Sequence, residues 1–341
     1  MFTTSVLKEI YDPNKSLVFS PIGLHRILRN ICHGCNGDTK KQLINLLGNN
    51  CYHDYDNKHE NTITDISALA VKECYNVKTN FIKDSNNMFN TQVFQFNSIC
   101  QIPRKMNKWI RTKSKHRISD IDCHIYENTK SLIANAVHFT TEYEALFENA
   151  YKDIMPFVKY DGTVTLTNVV RTRLYYYPLT YLEDIKCSVV QLWRLGYSFN
   201  MFIVVPDDEK SLDSLIDNIS EEILNNIISK RDNYKRIELW MPIFSLVNEH
   251  NFSMPIFNLG CHNLFIDGDF TGISDISDFQ ISGIIQKTVI DIDCNSLQNK
   301  PVKNNECIRF MVDKPFMFII TDDSENISSM PIIMGLYQGP Q

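Results

Sequence analysis

The first part of the chain carries its apolar residues at helical spacing. Ile22, Leu24, Ile27, Leu28 and Ile31 recur every three or four positions after Pro21. This predicts a helix that opens at Pro21 behind a Ser20 cap and stops near Gly34. A second helix is expected from an Asp38/Thr39 cap through Leu43, Ile44, Leu46 and Leu47, closed by Gly48. Residues 1–11 read as a short amphipathic helix ended before Pro13. Further on, Leu212, Leu215, Ile216, Ile219, Ile223, Leu224, Ile227 and Ile228 predict one helix over 211–230. The remaining apolar runs are short and β-branched or aromatic: 132–139, 188–192, 200–205, 236–240, 289–292, 316–320 and 332–336. Pro206, Pro242 and Gly335 punctuate them as turn residues. The order is helix-rich first and strand-rich last, an α+β pattern without βαβ alternation or internal repeat.

One stretch breaks the apolar logic. In KTVIDIDCNSLQNKPVKNNECIRFMVDKPFMFII, residues 287–320, the left end alternates as a strand over 288–292. The right end, from Met311 through Phe316, Phe318, Ile319 and Ile320, reads as a buried strand. Between them stand Asn295, Gln298, Asn299, Lys300, Pro301, Lys303, Asn304 and Asn305, which no core accommodates. An exposed loop is expected there.

Composition narrows the classes. The 341 residues are 43% hydrophobic, 22% charged and carry a formal charge of −6. That fills one large core or two ordinary ones, and it excludes disorder and a nucleic-acid binder driven by overall charge. The start MFTTSVLKEIYDPNKS has no basic opening, no apolar core and no small-residue cleavage site, so a cytoplasmic protein is expected. No window approaches the ~18 apolar residues of a membrane helix. Ten scattered cysteines are expected to be reduced. The pair Cys32-His33-Gly34-Cys35 lacks a second pair for zinc, and Cys32 continues an apolar helix face. The sequons at Asn14, Asn218, Asn251 and Asn326 are expected to be unused.

Catalytic signatures are missing. GYSFN around Ser198 lacks the second glycine of a nucleophile elbow, and neither H-E-x-x-H nor a phosphate-binding loop occurs. The chain reads as no enzyme and needs no cofactor or metal. One cluster is strongly charged: PRKMNKWIRTKSKHR, residues 103–117, holds seven Lys/Arg. Met106, Trp109 and Ile110 give it an apolar stripe. Its outer residues Arg104, Lys105, Lys108, Arg111 and Lys115 are a candidate polyanion patch. No aromatic residues interleave with them, which favours a solvated face resting on a sheet.

Several motifs together resemble the serpins. SLVFSPIGLHRILRNICHGCNGDTKKQLINLLG is similar to their N-terminal segment, in which Phe-Ser-Pro leads into a buried helix. MNKWIRTKSKHRISDI resembles their Asn-x-Trp-Val stretch through Asn107, Trp109 and Ile118, with His116 where the family has Gly. LIANAVHFTTEYEALF is similar to a family strand through Asn135, Ala136, Phe139 and Phe147, with Tyr143 in place of the usual Trp. VQLWRLGYSFNMFIVVPD, MPIFSL, LGCHNLF, DFTGIS, DKPFMFII and IIMGLYQGP follow in the family's order. The resemblance spans residues 5–340, and the compact length is most similar to intracellular poxvirus-type serpins.

The resemblance implies a single serpin domain over residues 1–341, with helices packed on three mostly antiparallel β-sheets. It also implies a mechanism. A protease cleaves an exposed reactive loop, and the loop then inserts as a strand into the central sheet and drags the protease with it. The loop maps to about Cys294–Phe310. Its hinge is Cys294, Asn295, Ser296 and Leu297, and the scissile region is Lys303, Asn304, Asn305 and Glu306. The family's hinge is rich in small residues, whereas this one has no alanine and ends on Lys300-Pro301. Twenty residues separate Cys294 from Pro315. That interval is roughly six shorter than the family's, or on the order of 20 Å of reach at about 3.3 Å per residue.

Two readings follow. In the preferred one, a viral host-modulating protein of inhibitor lineage binds a host protein without trapping it by insertion. In the alternative, a functional serine or cysteine protease inhibitor presents the loop as bait, and Lys303 points to a trypsin-like target. Polyanion binding by the basic helix would add to either. A monomer acting on a host protease or other host protein is expected, with no small-molecule substrate, no membrane and no nucleic acid.

Overall fold

The computed structural model describes residues 2–48, 62–122, 125–140, 150–172, 175–193, 199–208, 211–229, 232–293, 308–322 and 330–340. Among them are eight helices and fifteen strands. The strands are β1 (Leu17–Phe19), β2 (Ile63–Lys72), β3 (Thr91–Phe96), β4 (Ser131–Thr140), β5 (Tyr151–Val158), β6 (Val164–Arg171), β7 (Tyr175–Leu182), β8 (Cys187–Trp193), β9 (Phe199–Pro206), β10 (Tyr234–Pro242), β11 (Phe244–Asn251), β12 (Gly283–Ile292), β13 (Ile308–Met311), β14 (Phe316–Asp322) and β15 (Ile333–Tyr337). The helices are α1 (Phe2–Ile10), α2 (Pro21–Gly34), α3 (Gly37–Leu47), α4 (Thr79–Phe89), α5 (Gln101–Lys113), α6 (Ser211–Asn218), α7 (Glu221–Ile228) and α8 (Ser253–Asn258).

A central five-stranded sheet runs β11-β12-β4-β2-β3. Its β12–β4 and β2–β3 pairs are parallel and the others antiparallel. The remaining strands run β1-β15-β14-β9-β8-β7-β10-β6-β5, with β13 alongside β10. The β7–β10 pairing joins two of the three expected sheets into one continuous ladder. Ile133 and Val137 of β4 and Ile284 and Ile290 of β12 face the main core, which α2, β9, β14 and β15 complete. Leu132, Ala134, Ala136 and Ile285 face the other way, onto Ile102, Met106 and Ile110 of α5. The central strands are therefore covered on both sides.

The α2 helix starts and stops as the sequence predicts: Ser20 Oγ accepts from Gly23 N at 3.2 Å, and Pro21 sits in the first turn. Two expectations are corrected. The α3 helix opens at Gly37 rather than behind an Asp38/Thr39 cap. Asp38 instead pairs with Lys41 at 2.8 Å, and Thr39 Oγ1 accepts from Asp269 N at 2.8 Å. The span 211–230 is two helices, because Ser220 caps α7 by accepting from Ile223 N and so starts a new helix inside the apolar repeat. The helix-rich first part also holds β2 and β3, which interleave with α4 and α5.

The C-terminal strands also differ from expectation. The stretch from Met311 onward is not one buried strand. β13 ends at Met311, which is exposed, and β14 opens at Phe316. Ile308–Phe310 belong to β13, so the loop range drawn to Phe310 is too long at that end. Gly335 is no turn residue but lies in the middle of β15, where a Cβ would stand 2.2 Å from the Phe318 ring and 2.4 Å from the Leu17 carbonyl oxygen. Only a residue without a side chain lets β1, β15 and β14 lie this close. Gly335→Ala is expected to cost about 1–3 kcal/mol through overpacking, measured by urea unfolding. A loss below about 0.5 kcal/mol, the ordinary scatter of a neutral surface change, contradicts this packing.

Candidate functional site

The site lies where β4 and β12 meet, β12 being the strand that precedes the expected hinge in the sequence. Nine register pairs join the two strands, from Gly283↔Leu132 to Asp291↔Thr140. Every residue of β4 is buried, as is every residue of β12 except Asp291. The predicted hinge (Cys294, Asn295, Ser296, Leu297) and scissile residues (Lys303, Asn304, Asn305, Glu306) lie outside the described residues. The chain is described up to Asp293 on one side and from Ile308 on the other.

A polar network fastens this seam from the main-core side. Gln286 Nε2 donates across the seam to Asn135 Oδ1 at 2.7 Å and to the Ser20 carbonyl at 2.9 Å, while its Oε1 accepts from Ser20 N at 2.8 Å. Asn135 Nδ2 donates to Asp65 Oδ1 at 2.7 Å and to Ser67 Oγ at 3.1 Å. Arg26 reaches down from α2 to form an ion pair with the same Asp65 oxygen. Gly23 makes room for the network, since a Cβ there would sit 2.5 Å from Asn135 Oδ1. All of these groups are buried.

The opposite side carries a strap. The chain after α5 lies along the sheet, held by a reciprocal pair in which Asn107 Nδ2 donates to the Ile121 carbonyl and Ile121 N donates to Asn107 Oδ1 (3.0 and 2.9 Å). Lys287 of β12 donates to the Asp120 carbonyl and pairs with Glu249 at 3.3 Å. Glu249 in turn accepts from Asp122 N at 2.7 Å. At the C-terminal end of both strands, His138 of β4 and Asp291 of β12 pair across the seam at 3.1 Å. The hydrogen bond from His138, with a second from Ser245, holds the Asp291 carboxyl below its ordinary range against the opposing effect of burial.

Sequence reasoning placed Asn135 on its strand but missed Arg26, Asp65 and Gln286. The available signal was a charged or amide residue inside an otherwise apolar run, as in PIGLHRILRN and ITDISALAVK. The basic patch is where it was expected. Arg104, Lys105, Lys108 and Arg111 are exposed on α5, and Lys115 is exposed just beyond it. Arg111 is engaged by Asp120 at 2.7 Å, and Lys105 donates to the Gln95 carbonyl at 3.4 Å. The apolar stripe of the helix rests on the sheet, as the solvated-face reading requires.

The family model for serpins (serine protease inhibitors) matches residues 1–337. A serpin-like protein of fowlpox virus (strain NVSL) is 31% identical, over 98% of this chain and 98% of its own. The leukocyte elastase inhibitor of Equus caballus is 22% identical over 96% and 94%. Among solved structures, mouse protein-Z dependent protease inhibitor superposes with a TM-score of 0.86 at 19% identity, covering 100% of this chain and 95% of that one, which bears on fold alone.

Two outcomes are expected here. Asp65→Asn leaves the Arg26 guanidinium without its buried carboxylate and should cost about 3 kcal/mol or more, whereas Arg26→Met with Asp65→Leu recovers most of that loss. Chemical denaturation of the three proteins decides it, and equal stability of Asp65→Asn and the parent removes the ion pair from the network. The basic stripe should bind heparin only weakly, fading between ~50 and ~200 mM salt, because a few cations release few counterions. Retention on a heparin column above about 0.5 M salt contradicts this.

Proposed function

The chain belongs to the serpin family, and we propose that within it the chain is a host-directed binding protein that does not trap its partner by strand insertion. The observation that carries this reading is the burial of both faces of β4 and β12. A strand inserted between them turns its residues alternately toward the main core and toward α5, so no position stays in water. The segment available for insertion is Cys294-Asn295-Ser296-Leu297-Gln298-Asn299-Lys300-Pro301.

The energetics oppose entry. Each new backbone hydrogen bond contributes ~0.5–1.5 kcal/mol. Burying Asn, Gln or Lys side chains without partners costs on the order of 2–7 kcal/mol each. Pro301 has no N–H to give and breaks the ladder. Opening the seam also parts Gln286 from Asn135 and His138 from Asp291. The reading extends to a monomer working in the cytoplasm of a host cell, on a host protease or another host protein.

A second reading keeps the inhibitor. The leukocyte elastase inhibitor of Equus caballus covers nearly the whole chain, and Lys303 offers a trypsin-like protease a cleavable bond. The two readings separate on one measurement. Cutting between Gln298 and Glu306 with a broad-specificity protease, with the site confirmed by mass spectrometry, should leave the melting temperature nearly unchanged. The same proteases should form no SDS-stable complex. A rise of about 10 °C or more, worth several kcal/mol for a chain of this size, or a covalent complex on a gel, establishes the inhibitor reading instead.

A further inference from the structure

We infer that the tyrosine- and arginine-bearing face of β10, with β7 and β13 on either side of it, is a docking surface for an acidic segment of the partner protein. The inference rests on the binding role proposed above and names the surface that serves it. On β10, residues 234, 236, 238 and 240 share one face. Register places Tyr176 of β7 beside Arg236, and Arg309 and Met311 of β13 beside Glu238 and Trp240. Tyr176 is 57% exposed, Tyr234 44% and Arg309 63%.

The centre of this face is rigid. Glu238 is almost fully buried and accepts from Arg171 Nε and Nη2, each at 2.8 Å, and from Trp240 Nε1 at 3.1 Å. The Arg171 guanidinium also lies 4.6 Å from the centroid of the Trp240 ring. Glu238 therefore satisfies Arg171 and reaches Arg309 only at 3.6 Å. Asp153 adds a second contact to Arg171 at 3.5 Å. Arg171 and Arg309 thus share Glu238, and Arg236 and Arg309 stand toward solvent on a chain whose formal charge is −6. The complement of this surface is negative, with an apolar contact for the tyrosine rings.

Chemistry and position support the same occupant. Tyr, Trp and Arg carry most of the binding energy in protein interfaces, because they offer large contact area and fixed hydrogen-bonding geometry for little lost freedom. Here Tyr234, Arg236 and Trp240 stand on a strand paired along both edges, so little ordering of that strand remains to be done on binding. β13 follows the reactive-loop segment directly in the sequence, and Glu306 is two residues before Ile308. At no more than about 3.6 Å per residue, any protein that grips Lys303–Glu306 stays within ~20 Å of Ile308, the first residue of β13. Contact with the segment therefore holds the partner within that distance of the first residue of β13.

The test is a random-peptide display selection on the full chain, repeated with residues 294–307 replaced by a Gly/Ser linker of equal length. The expected winners carry Asp or Glu next to an apolar residue and bind both targets. Calorimetry with the synthesised winners should show at least tenfold weaker binding to Arg236→Glu/Arg309→Glu. Tyr176→Ala, which keeps every charge, should weaken it about fivefold, and Arg104→Glu/Lys108→Glu on α5 should change nothing. Unaltered thermal melts establish that the variants are folded. Winners that are neutral or basic, or that bind the arginine variants equally well, overturn the inference. So does a chain that self-associates through this face, or a heparin oligosaccharide held here with no acidic peptide selected. Because the linker target lacks the reactive segment, the selection reports on the face whether or not the intact segment inserts.

Discussion

Parallel pairing of β4 with β12, buried on both faces, is the constraint from which most of the central architecture follows. A strand with no side in water cannot leave a polar side chain to solvent, so each must find a partner in the protein, although His138 Nδ1 is buried without one. Asn135 and Gln286 bond one another across the seam, Thr288 Oγ1 donates to Gln286, and Lys287 and His138 find carboxylates on the α5 side. Ser20 ties this pattern to the rest of the molecule. Its hydroxyl caps α2 and donates to the Ile332 carbonyl at 2.6 Å, while its backbone N–H and carbonyl are both taken up by Gln286. One residue thus fixes the start of a helix, the entry into β15 and the middle of the seam.

The Arg26–Asp65 pair shows how far this chain has gone toward a fixed sheet. A buried ion pair contributes little net stability, because desolvation offsets most of the attraction. Its effect is on specificity. With Asp65 accepting from both Arg26 and Asn135, α2 is bound to β2 and β4 in one register, and sliding either strand would strand a charge. An apolar pair of the same volume would hold the layers together without fixing their alignment.

Legibility in the sequence followed the locality of the physics. α2 was readable to the residue because cap, proline and apolar period are all local. The split of 211–230 was hidden because Ser220 fits the polar side of a continuous helix as well as it caps a new one. β5, β6 and β7 escaped notice because their exposed faces carry Ile154, Val164, Leu166 and Tyr176, which blur the alternation of apolar and polar positions. Gly335 looked like a turn because its reason, the approach of Phe318 and Leu17, lies in other strands. His116, standing where the resembling family has Gly, adopts φ +64°, as Lys115 adopts +52°. The backbone there keeps the left-handed turn that glycine takes without strain, closed by His116 N donating to the Arg111 carbonyl at 2.8 Å. At the site, the polar residues were visible one by one, but which of them would meet depended on the parallel register, and that is not a local property.

The two positive surfaces differ in what they can do. On α5 the cations sit at the ends of long side chains over a helix whose apolar side is already used, and Arg111 is partly neutralised by Asp120. Such a stripe acts at long range: it raises encounter rates with anions and loses that effect as salt screens it. On the β10 face the Arg171 guanidinium lies over the Trp240 ring, and the central carboxylate is buried. Groups placed that way interact mainly after water has been expelled, where hydrogen-bond geometry and ring contact govern how long a complex lasts. A chain with a net charge of −6 repels acidic partners at a distance, so local positive surfaces must overcome that field before contact. At physiological salt the α5 stripe is screened beyond about 8 Å, so the β10 face governs the contact itself.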